Sequence, residues 1–250
     1  MYKLDILDVT QYVEKNIQDF HEKRLANVKS IKLSEVLRTK NPYLFKAKNV
    51  NTASEIIERI MCAFLCSNQE GIFGNWLDRL AVNVAKAVYG GQKAVVDGID
   101  LDFVKNGKRY LVAIISGQNW GNDRHYKKLV DEFNTAKKRS ATSSGSEEVI
   151  FVTGCCYGRS NPSSEYQSKD YHKMCGQRFW ELISGEPDLY INIIEPLGHK
   201  ADRYNLEFLK SYAMVKNRLE KEFLIDYTHE GGSIIWDKLL KFHSNTEQHL

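Results

Sequence analysis

Gly98-Ile99-Asp100-Leu101-Asp102-Phe103-Val104-Lys105-Asn106-Gly107-Lys108-Arg109-Tyr110-Leu111-Val112-Ala113-Ile114-Ile115-Ser116-Gly117-Gln118-Asn119-Trp120-Gly121-Asn122 is the stretch on which the fold turns. Residues 99–104 and 108–116 are two runs rich in β-branched and aromatic side chains. Asn106-Gly107 between them is the strongest short hairpin signal, since both residues tolerate the positive φ of a tight turn. A period of two puts Asp100 and Asp102 on one face of the first strand. The second strand is apolar almost without a break from Tyr110 to Ile115, which predicts burial on both faces. Carboxylates beside a buried strand pair, followed by the polar turn 116–122, point to chemistry.

Downstream of the hairpin, Asp123 can cap a helix of roughly 15 residues. Ser140 to Ser146 reads as a flexible loop, and Glu148 to Thr153 as a short buried strand. Strand, helix and strand at this spacing suit a right-handed parallel crossover beside the hairpin. The expected fold is therefore α/β, a mixed central sheet flanked by helices. Upstream, Val9, Tyr12, Val13, Ile17, Phe20 and Leu25 predict an amphipathic helix over 8–28, and Asn41-Pro42 breaks the next helical stretch. Thr52 or Ser54 can cap a helix reaching about Cys66, with Glu55 supporting its first turn. Gly71 to Gly74 reads as a loop before a further helix ending at Tyr89. Gly154 to Asp170 reads as a long polar loop, 174–184 and 202–222 as helices, and Trp236 to Phe242 as a last helical turn or two. A single domain is expected, with N-terminal helices over 1–70, a catalytic core over 71–153 and C-terminal helices and loops over 154–250.

With 250 residues, 42% of them hydrophobic, the chain can bury a full core. No apolar run nears the roughly 20 residues needed to span a bilayer, and residues 1–20 lack a signal peptide's apolar centre, so a soluble, cytoplasmic protein without a membrane partner is expected. Five cysteines clustered at Cys62/Cys66 and Cys155/Cys156/Cys175 do not form a disulfide framework. Cys62 and Cys66, four apart on a helix, read as small apolar residues on a buried face, with a shared metal as the alternative. Cys155, Cys156 and Cys175 read as a packed reduced cluster, with a zinc site completed by His172 as the alternative. A net charge of +3 neither demands nor excludes a polyanion. The distribution says more, because Arg124, Lys127, Lys128, Lys137, Lys138 and Arg139 load the segment after the hairpin.

The Gly-Ile-Asp-x-x-Phe strand, the turn, and the following Tyr-Leu-Val with Ser-Gly-x-Asn-Trp-Gly-Asn resemble the core of the PD-(D/E)xK nuclease superfamily. The segment is most similar to a small group of type II restriction endonucleases that includes cutters of GGNCC-centred sites. Phe73-Gly74-Asn75-Trp76-Leu77-Asp78, Gly154-Cys155-Cys156-Tyr157-Gly158-Arg159, Cys175-Gly176-Gln177-Arg178-Phe179-Trp180-Glu181 and Ile194-Glu195-Pro196-Leu197-Gly198-His199 extend the likeness over roughly residues 30–245. Ala113 and Ile115 depart from the pattern, standing where it has Ser and the catalytic Lys.

The resemblance implies a nuclease that binds double-stranded DNA at a short palindromic site as a homodimer, uses Mg²⁺, and works beside a cognate DNA methyltransferase. Asp100 and Asp78 are then the metal-binding carboxylates, with the carbonyl of Ile114 as a third ligand; hard oxygen donors suit a divalent cation that offsets charge on a phosphate. Asp102, Glu70 and Asp97 are reserve acids. Positions 113 and 115 belong to the same catalytic set, but Ile115 can neither carry charge nor move a proton, which commonly costs on the order of 10²- to 10⁴-fold. Inactivation, decay of the family pattern, or an amine from elsewhere (Arg124, Lys127 or Lys93) all account for it. Gln118, Asn119, Asn122, Arg124, Lys127 and Arg159 are the expected DNA contacts, through amide and guanidinium groups that read base edges or hold phosphates. A non-catalytic DNA-binding protein that keeps the fold is the alternative. His199 reads as structural.

Overall fold

The computed structural model describes residues 3–94, 98–115, 123–141, 148–159 and 171–245, with backbone alone at 123–126, 137 and 139–141. In chain order the elements are α1 (Ile6–Ser30), α2 (Leu33–Thr39), α3 (Pro42–Ala47), α4 (Ala53–Tyr89), β1 (Leu101–Lys105), β2 (Lys108–Ile115), α5 (Asp123–Ala141), β3 (Val149–Cys155), β4 (His172–Cys175), α6 (Gln177–Ser184), α7 (Leu189–Asn192), α8 (Ile194–Leu197), α9 (Ala201–Tyr227) and α10 (Trp236–Ser244). Internal contacts divide them into two compact units, Met1–Ile17 with Phe73–His199, and Gln18–Ile72 with Lys200–Leu250.

The first unit holds the sheet, in the order β1-β2-β3-β4. Asn106 and Gly107 take φ of 52° and 76°, the left-handed pair that a two-residue turn needs to match strand twist. They close an antiparallel β1–β2 ladder registered from Leu101↔Val112 to Lys105↔Lys108. β2 then runs parallel to β3, from Arg109↔Val149 to Ile115↔Cys155, and β3 parallel to β4. Antiparallel edge and parallel interior make the mixed sheet that the hairpin and crossover pattern predicts. Helix α5 covers one face, where Leu129, Phe133 and Ala136 pack on Ile99, Leu111, Ala113 and Phe151. On the other face Tyr89 of α4 stacks on Phe103, which stacks on Tyr110, and Phe179 of α6 lies over Gly154 so closely that a Cβ there would fall 2.4 Å from its ring.

The second unit is helical. Val28, Val36, Ile56, Ile57, Met61, Leu219 and Phe223 are among the fully enclosed residues of its core. Its helix starts follow the sequence closely. The Asn41 side chain accepts from the backbone of Tyr43 and Leu44 ahead of Pro42. Thr52 and Glu55 form a reciprocal capping box, Glu55 N–H donating to Thr52 Oγ1 and Glu55 Oε2 accepting from Thr52 N–H.

Five readings need correction. The loop expected at Gly71–Gly74 is helical: α4 runs unbroken for 37 residues. Each glycine inside a helix costs about 0.5–1 kcal/mol, less than is gained by burying Trp76, Leu77, Leu80 and Val84 in the turns that follow. The helix expected over 174–184 begins only at Gln177, because His172–Cys175 pairs with β3 as a fourth strand. Gly154 and Cys155 finish β3 instead of opening a loop; most of that loop, 160–170, lies outside the described residues. Cys62 and Cys66 are exposed instead of facing a core, with their sulfurs 4.0 Å apart. The loop expected at 140–146 begins at the last helical residues of α5 and otherwise lies outside the described residues.

Candidate active site

Asp100 stands just before β1, where the chain departs from its register. Its backbone N–H donates to Val112 O, although Val112 is the ladder partner of Leu101. Two consecutive residues thus address one residue of β2, as at a β-bulge, and such a bulge re-aims a side chain. The Asp100 carboxylate is consequently not held to the face shared with Asp102, and its Oδ2 accepts the Ile114 backbone N–H at 2.7 Å. Asp102 has a different fate. Arg109 grips it with two hydrogen bonds, 2.9 and 2.6 Å, so Asp102 is committed to a cross-strand ion pair and leaves the set of reserve ligands.

Asp78, on α4, reaches the same neighbourhood. Burial, together with the charge of Asp100, lifts its carboxyl to about 7. Asp100 is itself raised, chiefly by burial; the Ile114 hydrogen bond and the Lys93 ammonium pull it down, and Glu132 pushes it up. Two half-buried carboxylates, one of them raised by the charge of the other, are thus only partly offset by the Lys93 ammonium. Mg²⁺ is commonly held by one or two carboxylates with water completing the shell, so Asp78 and Asp100 fit a divalent ion of this kind. Among the described residues no three Asp, Glu, His or Cys side chains converge on a common ion.

The helix face of the site adds an acid that pattern reading did not find. Glu132 of α5 sits against Gly98, where a Cβ would meet its carboxylate at 1.9 Å; Gly98 also has φ of +81°. The glycine of Gly98-Ile99-Asp100 is therefore needed both for its backbone and for its missing side chain. The nearby cation Lys128 lies 3.6 Å from Glu132. Spacing alone could not reveal this acid, since it lies 32 residues from Asp100.

Ile115 and Ala113 are built into the core. Ile115 packs with Cys155 and Cys175, and Ala113 with the α5 contacts of the sheet. Cys155 and Cys175 are in-register partners across β3 and β4; their hydrogen bond raises the Cys155 thiol and holds Cys175 down. Beside Ala113 in the parallel ladder stands Thr153, fully buried, and its Oγ1 has no hydrogen-bond partner among the described residues.

Of the expected DNA contacts, Gln118, Asn119 and Asn122 lie outside the described residues, as does the side chain of Arg124. Asp97, a reserve acid, lies outside them too. Lys127 is exposed on α5. Arg159 is exposed beside a cavity of about 720 Å³ whose walls include Leu77, Cys156, Tyr157, Arg178 and Trp180. Glu70 belongs to the helical unit, where it acts on Cys66. His199 lies 3.8 Å from Glu14.

The family model described as type II restriction endonuclease EcoO109I matches residues 7–205. The chain belongs to this family. The match covers α1 through the start of α9 and so takes in Asp78, Asp100, the whole sheet and Glu132. No curated protein matches the sequence. The chain is thus a type II restriction endonuclease-like protein, and no helix among its described residues is long and apolar enough to cross a membrane.

Proposed function

We propose that this family member binds a short palindromic site in double-stranded DNA as a homodimer and hydrolyses its phosphodiester bonds with Mg²⁺, at a rate lowered by Ile115. The observation that carries the reading is the pair Asp78 and Asp100, brought from α4 and the start of β1 into mutual electrostatic reach. Asp78, Asp100 and the Ile114 carbonyl would hold the ion, which supplies charge neutralisation at the phosphate and orients water. Asp100 is positioned for this by its hydrogen bond to Ile114. Gln118, Asn119, Asn122, Arg124, Lys127 and Arg159 would contact the duplex. A cognate DNA methyltransferase would protect the same sites in the host, and the cytoplasm is the compartment where both would work.

A second reading, a DNA-binding relative without catalysis, is favoured by one observation: Ile115 is 4% exposed and fills a core position with no charge. Binding contacts are spread over many groups, whereas the chemical step relies on few. The test is single-turnover cleavage of duplex DNA containing GGNCC-centred sites, with Mg²⁺ and with EDTA, for the unmodified chain and for Ile115→Lys with Ala113→Ser. The doubly substituted chain should cut at least about 10²-fold faster, with a lower melting temperature because the new ammonium enters an apolar cluster. Equal rates would remove Ile115 as the cause of slow cleavage; DNA binding without Mg²⁺-dependent cutting in both chains would leave the second reading.

A further inference from the structure

The carboxylate pair has a cation nearby that no element of the family pattern supplies. The segment after α4 runs along the free edge of β1: Gln92 pairs antiparallel with Asp102, Gln92 N–H donating to Asp102 O at 3.0 Å and Asp102 N–H to Gln92 O at 2.8 Å. Gly91 confirms the register, since a Cβ there would lie 3.3 Å from the Cβ of Phe103. Continuing the pairing sets Lys93 across from Leu101, the residue next to Asp100. Lys93 is exposed, and it acts on the Asp100 carboxylate.

Four other described cations around the sheet are engaged elsewhere. Arg109 holds Asp102, Lys108 pairs with Glu148, Lys128 with Glu132, and Lys105 donates to the carbonyls of Glu181 and Leu182. Position 115 contributes no charge and is closed off by Cys155 and Cys175.

We propose, on the nuclease reading above, that Lys93 is a catalytic cation of this site, contacting the scissile phosphate and stabilising the negative charge that builds on it during hydrolysis. In that step water adds to phosphorus, one ester P–O bond breaks with its electron pair leaving on the departing oxygen, water gives one proton to solvent and the departing oxygen takes one up. Lys93 stays an ammonium throughout. The rate that Ile115 leaves to the chain is the rate Lys93 supports. The edge position explains how an exposed side chain can serve, because it approaches from the rim of the sheet and not through the core.

Lys93→Met, Lys93→Arg and the unmodified chain are compared by nicking of supercoiled plasmid with Mg²⁺, by duplex binding with Ca²⁺, and by calorimetric Ca²⁺ titration without DNA. Lys93→Met should lower nicking by at least about 10²-fold, change duplex affinity by less than about threefold, and bind Ca²⁺ several-fold more tightly, since a positive charge beside Asp100 has been removed. Lys93→Arg should keep most of the rate and the original Ca²⁺ affinity. Nicking by Lys93→Met within about threefold of the unmodified chain overturns the assignment and leaves the nuclease reading intact. An unmodified chain that binds duplex without nicking it above the EDTA background overturns both. Unchanged Ca²⁺ affinity in Lys93→Met shows that Lys93 does not face the carboxylates, and overturns the assignment by itself.

Discussion

The helical unit and the ends of the sheet strands arrange their polar groups differently. In the helical unit two helix starts carry cap motifs that find their partners: Asn41 caps α3, and Thr52 and Glu55 cap α4 reciprocally. Lys216 lies between Glu58 and Glu220. Around Asp100 the accounting is left open. Asp100 raises Asp78, Glu132 raises Asp100, and the Thr153 hydroxyl has no partner among the described residues. A folded chain tolerates such unsatisfied groups at a cost, and they concentrate where a ligand is to supply the missing partner. His21 Nδ1 and Arg24 Nε lack partners among the described residues of the helical unit too, so what sets the Asp100 region apart is its gathering of carboxylates.

The largest test of this contrast is pH. The raised Asp78 carboxyl binds its proton more tightly folded than unfolded, so its contribution to stability is present at low pH and is lost as pH rises from about 4 toward about 7. Divalent binding needs the carboxylate and runs the other way. Ca²⁺ affinity at pH 6 should be about tenfold below its value at pH 8, as expected for a ligand titrating near 7. Without metal, Asp78→Asn should raise the melting temperature at pH 8 and do little at pH 4. Affinity that is flat between pH 6 and 8 would mean that Asp78 is not a ligand.

A smaller effect checks the other side of the comparison. Thr52→Ala removes one half of the α4 capping box and should cost about 1 kcal/mol, read as a lower urea midpoint with Ca²⁺ affinity unchanged. A change in metal affinity would show that this helix start and the site are not independent. The smallest effect concerns the orphaned hydroxyl. Ala113→Ser places a second hydroxyl opposite Thr153 in the parallel ladder, and a new hydrogen bond there should add about 0.5–1 kcal/mol. Destabilisation instead would show that the space beside Ala113 is already filled.

The sheet was largely legible because its signals are local. Asn106-Gly107 sets the β1–β2 register, and the apolar run Tyr110–Ile115 announces an interior strand. β4 was hidden by its four residues and by the helix signal of the sequence that follows, which begins only after Gly176. The exposure of Cys62 and Cys66 was equally hidden, since one helix turn reads the same whether it faces core or solvent. In the site, Asp100 and Asp78 came from motif resemblance, and the structure brings them together. The bulge that redirects Asp100, the Arg109 clamp that removes Asp102, the contact of Glu132 with Gly98 and the placement of Lys93 depend on pairings between segments, to which a linear pattern is blind.

The Asn106-Gly107 turn also has a bearing on time. A two-residue turn brings β1 and β2 together with very little chain to order, so this hairpin is the sort of element that forms within about 1–10 μs. Pairing β2 with β3 must wait for the intervening α5 segment to be gathered in, and non-local parallel pairing is slow. The hydrogen bond from Ile114 to Asp100 belongs to the early event. Asp100 is thus expected to be oriented while the rest of the sheet is still assembling, so that α4 and α5 bring Asp78 and Glu132 to a carboxylate that already has its direction.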